Sequence, residues 1–349
     1  MTNGRTALGL FSGGLDSILA CRVIADQGVR VIALKFVTPF FDSDLLACRE
    51  EYGLAMQRKY GLTVELVDVS EGYLKLLENP VHGFGKHFNP CIDCKILMLT
   101  RARALMTAYG ASFLVTGEVL GQRPMSQRRD TLRVIERDSG CTGLLLRPLC
   151  ARLMNPTRAE DEGLVDRERL YGFSGRSRRQ QKQLAAQLGI TEYPTPAGGC
   201  MLTDLNLAPR IKQYYNGLFS FREPQWAVDD IRLLVIGRQF KLDDEVWFIV
   251  GRNEQENRQL EALRRPDDWL LWMTVRPGPL GLLRYARQKV AGSEREEEIL
   301  RRLGGIVVRY GKKIEGQAEE AEVTIDQGTS VMRAHFLPLA DAACQQWRM

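Results

Sequence analysis

Histidine is scarce in this chain of 349 residues: His82, His87 and His335 are the only three. A reaction that depends on a histidine base is therefore poorly supplied. No run of about 18 apolar residues occurs, the length a helix needs to cross a bilayer, so no membrane partner is expected. The first residues carry no charged-then-apolar leader; a strand begins almost at once. Repeats and low-complexity tracts are missing too. The eight cysteines do not read as a disulfide framework, which belongs to small secreted domains, and reduced thiols in a cytoplasmic protein are the expectation. With 44% hydrophobic and 26% charged residues, the composition is that of a globular protein. The length suits two domains, each with its own core.

The strongest local signal lies near the start. The apolar run Leu8-Gly9-Leu10-Phe11 breaks into Ser12-Gly13-Gly14-Leu15-Asp16-Ser17, and helical spacing follows from Ile18 to Gln27. Glycines let the backbone turn sharply and approach a ligand closely. A helix that begins there points free N–H groups and the positive end of its dipole at an anion. Hydroxyls of Ser12 and Ser17 add donors. The segment reads as a phosphate cradle, although it lacks the lysine of a Gly-x4-Gly-Lys-Ser/Thr loop, which disfavours kinase or GTPase chemistry.

Apolar runs and helical spacings then alternate. Strands are predicted over 6–11, 29–37, 62–69 and 112–116, and helices over 44–60, 71–77 and 92–109. This order gives a doubly wound α/β fold, a parallel sheet with helices on both faces. Ligands of such sheets sit at the carboxyl ends of the strands, where Ser12, Lys35, Phe36 and Thr116-Gly117-Glu118 fall. Beyond residue 150 the pattern is less regular. Helices are predicted over 160–170 and 176–188, a turn over 194–200, and short strands over 231–236, 245–250 and 269–275. The expected division is a catalytic domain over 1–205, a linker over 206–230 and a smaller α+β domain over 231–349.

Charge is uneven. Between Gly121 and Lys182 there are 14 Lys plus Arg against 8 Asp plus Glu, a surplus that accounts for the whole net charge of +5. Arg123, Arg128, Arg129, Arg133 and Arg137 open the segment; Arg176, Arg178, Arg179 and Lys182 close it. Such clusters suit a phosphate backbone, and they equally suit a salt-bridged surface.

Asn89-Pro90-Cys91-Ile92-Asp93-Cys94-Lys95 sets two thiols three residues apart at a helix start, with Asn89 as cap and Pro90 in the first turn. Both sulfurs then share one helix face, and the helix N-terminus is expected to favour their thiolates. Cys200 follows a proline- and glycine-rich turn as a third thiol free of helix packing. Cys21, Cys48, Cys141, Cys150 and Cys344 read as core or incidental cysteines. From spacing alone, Cys91, Cys94 and Cys200 fit an iron–sulfur cluster, a zinc site completed by His87, or a persulfide relay without metal.

Ser12-Gly13-Gly14-Leu15-Asp16-Ser17 resembles the loop of the PP-loop ATP pyrophosphatase family, whose members adenylate a carbonyl oxygen and release pyrophosphate. Asn89-Pro90-Cys91-x-x-Cys94-Lys95 is similar to a segment of tRNA 2-thiouridine synthases. Thr116-Gly117-Glu118 and Pro194-x-Pro-Ala-Gly-Gly-Cys200 are similar to motifs of the 4-thiouridine synthetase ATP domain. The resemblance implies an adenine nucleotide alpha hydrolase-like fold and a tRNA sulfurtransferase that uses ATP, Mg2+ and a [4Fe-4S] cluster on Cys91, Cys94 and Cys200. A cysteine at 91, where other members carry aspartate, favours the cluster. ATP would contact Phe11, Ser12, Gly13, Gly14, Leu15, Asp16, Ser17, Lys35, Phe36, Gly117 and Gln122. Asp16, together with the cysteines, would be catalytic, and Arg123, Arg176 and Arg178 would hold tRNA. Sulfide or a cysteine desulfurase would donate sulfur; a homodimer is compatible with the pattern.

Trp247-Phe248-Ile249-Val250-Gly251-Arg252-Asn253-x-x-x-Asn257, Pro266-Asp267-Asp268-x-Leu270 and Arg276-Pro277-Gly278-Pro279 resemble the NFACT-R type of RNA-binding domain, with Pro279-Leu280 in place of its final Ser-His. RNA contacts from Trp247, Trp269, Tyr310, Arg252 and Lys312 are implied, the last at the end of a basic strand over 306–313. Two other outcomes stay open: an amidotransferase or nitrile synthase with a zinc site acting on a small molecule, and a non-catalytic RNA-binding protein of ribosome quality control.

Overall fold

The computed structural model describes residues 5–195, 200–217, 228–242, 246–313 and 319–349. The chain forms two compact units, Met1–Ala208 and Pro209–Met349. The turn residues Pro196, Ala197, Gly198 and Gly199, residues 218–227 of the expected linker, and Glu245 of an expected strand lie outside the described residues.

The first unit holds a five-stranded, wholly parallel sheet in the order β3-β2-β1-β4-β5. Its strands are β1 (Thr6–Leu10), β2 (Arg30–Val37), β3 (Thr63–Asp68), β4 (Phe113–Thr116) and β5 (Leu145–Leu146). Every residue of β1 and β4 is buried, which is what continuous apolar runs produce when helices cover both faces. Helices α1 (Leu15–Ala25), α2 (Arg49–Tyr60), α3 (Ser70–Glu78), α4 (Cys91–Tyr109) and α5 (Arg129–Asp138) connect the strands. Ile18, Leu19 and Ile24 of α1 pack on one face with Leu184 and Ala185 of the helix Arg179–Gln187. Leu99 and Ala102 of α4 and Ile135 of α5 cover the other. Each such fully buried aliphatic side chain contributes roughly 1.5–3 kcal/mol by leaving water. The strand order reverses between β1 and β4, so their carboxyl ends open a crevice.

The second unit is a six-stranded antiparallel sheet in the order β11-β10-β8-β9-β7-β6. It consists of β6 (Arg238–Lys241), β7 (Trp247–Val250), β8 (Trp269–Met273), β9 (Gly281–Arg284), β10 (Ala321–Asp326) and β11 (Val331–Phe336). The helix Glu296–Tyr310 packs its buried Ile299, Leu303, Ile306 and Val307 against this sheet.

Four expectations are corrected. Residues 231–236 lie largely in the helix Val228–Val235, because Asp229 and Asp230 suit a helix first turn and a short apolar run cannot by itself distinguish strand from helix. Ile306, Val307, Val308, Arg309 and Tyr310 end the helix Glu296–Tyr310 rather than forming a strand. The charged helix over 160–170 shrinks to Arg158–Asp161 and a turn at Arg167–Arg169, with Gly163 at φ +65° between them. Helix α4 takes Pro90 as its cap, with Asn89 one residue outside.

Candidate functional site

The crevice is built first from β1 and α1. Phe11 ends the apolar run with its backbone N–H bonded to Leu34 and its ring buried. Gly13 then turns at φ +81°, a conformation that side chains resist. Ser17 Oγ donates to the Gly14 carbonyl at 2.8 Å, and Gly14 N donates to Ser12 Oγ at 3.3 Å. Leu15 is core. The hydroxyls and the first turn of α1 therefore form a braced, solvent-facing loop.

Lys35 comes from β2, and its buried ammonium donates to the Ser12 carbonyl at 2.8 Å while pairing with Asp42 at 2.5 Å. Its nitrogen stands 3.8 Å from where a β-carbon of Gly13 would be. A cation thus sits behind the loop although none lies within it. Phe36 is buried, which leaves its backbone as the part available to a ligand.

Asp16 is the hub. Gln122 Nε2 donates to its Oδ2 at 2.7 Å, Arg178 approaches the same oxygen at 3.5 Å, and Gln181 donates to Gln122 at 3.0 Å. Its other oxygen, Oδ1, is buried without a hydrogen-bond partner. A buried oxygen with a free lone pair beside a phosphate cradle suits a hard cation such as Mg2+. Gly117 lies against this hub: a β-carbon there would stand 2.4 Å from the Asp16 carbonyl oxygen. Its lack of a side chain lets the end of β4 cross the start of α1.

The thiols lie beyond Gly117. Cys91 and Cys94 open α4, and Cys200 lies within electrostatic reach of both. All three are free thiols. Burial pushes the Cys94 thiol up to about 12, outweighing the Lys95 charge and the Tyr73 hydroxyl that pull it down. The expected thiolate-favouring effect of the helix end is overridden there by desolvation. Burial also raises Cys200, against a Leu202 backbone hydrogen bond and the Arg123 charge. Among the described residues no three His, Cys, Asp or Glu side chains stand at metal-holding spacing. The donor set is nonetheless chemically suited to a thiolate-ligated cluster, being three soft sulfurs from one neighbourhood.

Three residues without an expected role complete the site. Tyr73 of α3 is within electrostatic reach of Cys94, Cys91 and Cys200. Lys95 lies 3.9 Å from Glu118, whose other oxygen accepts from buried Arg147 at 3.0 Å. Since Glu118 follows Gly117, Cys94 is joined to Asp16 through two adjacent contacts. Only the Cys94-Lys95 and Gly117-Glu118 adjacencies hinted at this in the sequence. Arg123 neighbours Cys200, Arg178 neighbours Asp16, and Arg176 is exposed. Ser177, Arg178, Arg179, Lys182, Gln183 and Ala186 line an open groove of about 630 Å³.

In the second unit, Arg252 is half-exposed and paired with Glu256 at 2.5 Å, and Lys312 is exposed. Asn253 caps the helix Glu254–Ala262 by accepting from Glu256 N. Asn257 accepts from Leu280 N at 3.0 Å, and a β-carbon on Gly251 would collide with it at 2.1 Å. Much of this motif therefore shapes the loop. Trp247 and Trp269 are 0% and 2% exposed, which removes both as stacking surfaces; apolar burial claims them. Tyr310 is half-buried under Arg238, whose guanidinium lies 4.5 Å from the ring centre.

No helix among the described residues is long and apolar enough to cross a membrane. Residues 2–153 match the family described as thiamine biosynthesis protein (ThiI), and residues 237–348 match the NFACT protein RNA binding domain. A probable tRNA sulfurtransferase of Thermococcus kodakarensis is 27% identical over 138 residues, 40% of this chain and 35% of that protein. The chain thus spans about a third of that relative's length. A 4-thiouridine synthetase in complex with RNA and ATP aligns at a TM-score of 0.33 and 20% identity, covering 53% of this chain and 52% of that one. The C-terminal part of a fibronectin/fibrinogen-binding protein from Streptococcus suis aligns at 0.28 and 12%, covering 49% and 77%. The first unit is thus similar to the ThiI family over residues 2–153, and the second to the NFACT protein RNA binding domain over residues 237–348.

Proposed function

We propose that the protein is an ATP-dependent tRNA sulfurtransferase that makes thiouridine. The observation that supports this is that Cys200 lies within electrostatic reach of Cys91 and Cys94, while Lys95 approaches Glu118, whose neighbour Gly117 packs on Asp16 of the loop. A uracil carbonyl oxygen leaves badly as hydroxide. Attack of that oxygen on the α-phosphorus of ATP expels pyrophosphate and makes the oxygen part of AMP, a good leaving group. A sulfur nucleophile then adds at the activated carbon, and AMP departs with the original oxygen.

Ser12, Gly13, Gly14, Leu15 and Ser17 hold the phosphates through backbone N–H groups and hydroxyls. Asp16, whose Oδ1 is buried without a hydrogen-bond partner, would hold Mg2+, which would neutralise phosphate charge. Backbone at Phe11, Lys35 and Phe36 receives the nucleoside, with Gly117 and Gln122 on the ribose and α-phosphate side. Cys91, Cys94 and Cys200 would hold a [4Fe-4S] cluster, which would supply Lewis-acid binding of sulfide, given as such or released by a reductant from the persulfide of a cysteine desulfurase. Arg123, Arg176 and Arg178 hold RNA phosphates, and the first and last also face charge that develops as AMP leaves. Arg252 and Lys312 add phosphate contacts from the second unit.

The test is anaerobic reconstitution followed by mass spectrometry of nucleosides from tRNA incubated with ATP and sulfide. A brown protein and new thiouridine are expected; a colourless zinc protein that releases no pyrophosphate with tRNA would refute the reading. Cys200→Ala should abolish thiolation and leave tRNA affinity nearly intact. Full activity in that variant removes the three-thiol site.

A further inference from the structure

We propose that Phe84 is a stacking platform for an unpaired base of the RNA substrate, an inference that rests on the RNA-modifying reading above. The loop that leads into α4 carries two aromatic rings, Phe84 and Phe88, with centroids 4.3 Å apart and planes 19° from parallel. Phe88 is 6% exposed and Phe84 39%. The inner ring therefore covers one face of the outer ring and leaves the other to solvent. A flat ring sliding onto the open face completes a three-ring stack at the same spacing.

The loop is stiff for its kind. Gly85 N donates to the Asn89 carbonyl at 2.9 Å, and His87 N donates to Asn89 Oδ1 at 3.1 Å. Asn89 Nδ2 donates in turn to Cys91 Sγ at 3.1 Å and to Met125 Sδ at 3.8 Å. A β-carbon on Gly85 would stand 2.7 Å from Asn89 Nδ2 and 2.8 Å from Met125 Sδ. Phe84 thus hangs one residue from a packed knot that touches Cys91, so little ordering entropy is lost when a ligand lands on it.

Position and charge select the ligand. The ring sits on the loop that leads into Cys91 at the start of α4, and the knot's Met125 lies two residues from Arg123. Lys86, exposed on the same loop, gives a phosphate next to the stacked base a counter-charge. A uracil can expose its carbonyl to an enzyme only when it and its neighbours leave a regular stack, and aromatic rings then replace the lost stacking. A protein partner is less well served. Val81, 88% exposed, is the loop's only other large exposed apolar side chain among the described residues, far short of the roughly 800 Å² that each side of a stable protein interface buries.

The experiment uses the full chain with Phe84→Ala and Phe84→Trp and an unmodified tRNA transcript. Phe84→Ala should weaken tRNA binding about 10-fold, raise the KM for tRNA and leave kcat and the melting temperature close to the parent. Phe84→Trp should keep the affinity, and the fluorescence it adds over the parent should be quenched by tRNA. Parental tRNA affinity in Phe84→Ala overturns the proposal, as does a defect confined to sulfur transfer from a protein donor, which would make the ring a partner contact. Quenching needs no thiolation. A chain that stacks RNA on residue 84 but never forms thiouridine would refute the proposed function and keep the platform.

Discussion

The phenol of Tyr73 lies within electrostatic reach of the Cys94 sulfur, and of Cys91 and Cys200 as well. Its ring is wedged between Phe40 and Phe41, each with its centroid 5.7 Å away, so the hydroxyl cannot swing aside. Groups that bond a ligating sulfur tune its electron density. Tyr73→Phe keeps the ring and removes that hydroxyl. Thiolation should fall several-fold with stability within about 1.5 kcal/mol of the parent, tRNA affinity unchanged, and the absorption spectrum of the reconstituted protein shifted. An unaltered spectrum and rate would show that the hydroxyl serves packing alone.

Gly117 has no room for a side chain. A β-carbon would stand 2.4 Å from the Asp16 oxygen and 2.6 Å from Ser17 N, and both are backbone atoms that cannot rotate away. Gly117→Ala must push β4 from α1, at a cost of roughly 1–3 kcal/mol. ATP affinity by calorimetry should drop at least about 10-fold, since every 1.4 kcal/mol is a factor of ten. Parental affinity would show that the loop tolerates displacement.

Arg284 anchors the second unit from inside. It is 0% exposed and bonds Asp230 at 2.5 Å and Asp268 at 2.6 Å, while Tyr285 also bonds both carboxylates. Arg284→Met fills similar space but strands two buried anions. A loss of about 3–5 kcal/mol is expected from urea unfolding followed in the second unit. A loss below about 1 kcal/mol would mean that water reaches the carboxylates.

Alkaline pH should unfold the first unit through its core thiols. Burial pushes Cys21 from 9.0 to about 12, and Cys150 to about 11 despite a Leu120 backbone hydrogen bond and the Arg147 charge. The folded chain therefore keeps these protons at a pH where the unfolded chain has released them. Stability is full below pH 9 and falls as pH rises toward 11–12, by about 1.4 kcal/mol per unit for each thiol. Cys21→Ala should flatten the decline of melting temperature across that window. An identical slope would assign the loss to other groups.

Local pattern made the turn between β1 and α1 and the parallel sheet legible. Ser12 to Ser17 needs only its own glycines and hydroxyls and the strand and helix that flank it. Continuous apolar runs such as Ala7–Phe11 mark strands covered on both faces. The same reasoning failed at 231–236 and 306–310, where a short apolar run suits strand and helix equally and the acidic first turns of Asp229-Asp230 and Glu296–Glu298 decide for helix.

By itself the amino-acid order determined the strand-turn-helix over Ser12 to Ser17, the place of Cys91 and Cys94 at a helix start, and the alternation that gives a doubly wound sheet, because each depends on neighbours within a turn or two. Only the tertiary structure decided that Cys200 comes within electrostatic reach of that pair, that Tyr73 and Lys95 belong to the site, and that Trp247 and Trp269 do not face solvent. Those facts come from chain crossings between residues about twenty to more than a hundred positions apart and from competition for burial. Neither leaves a mark in any local window of sequence.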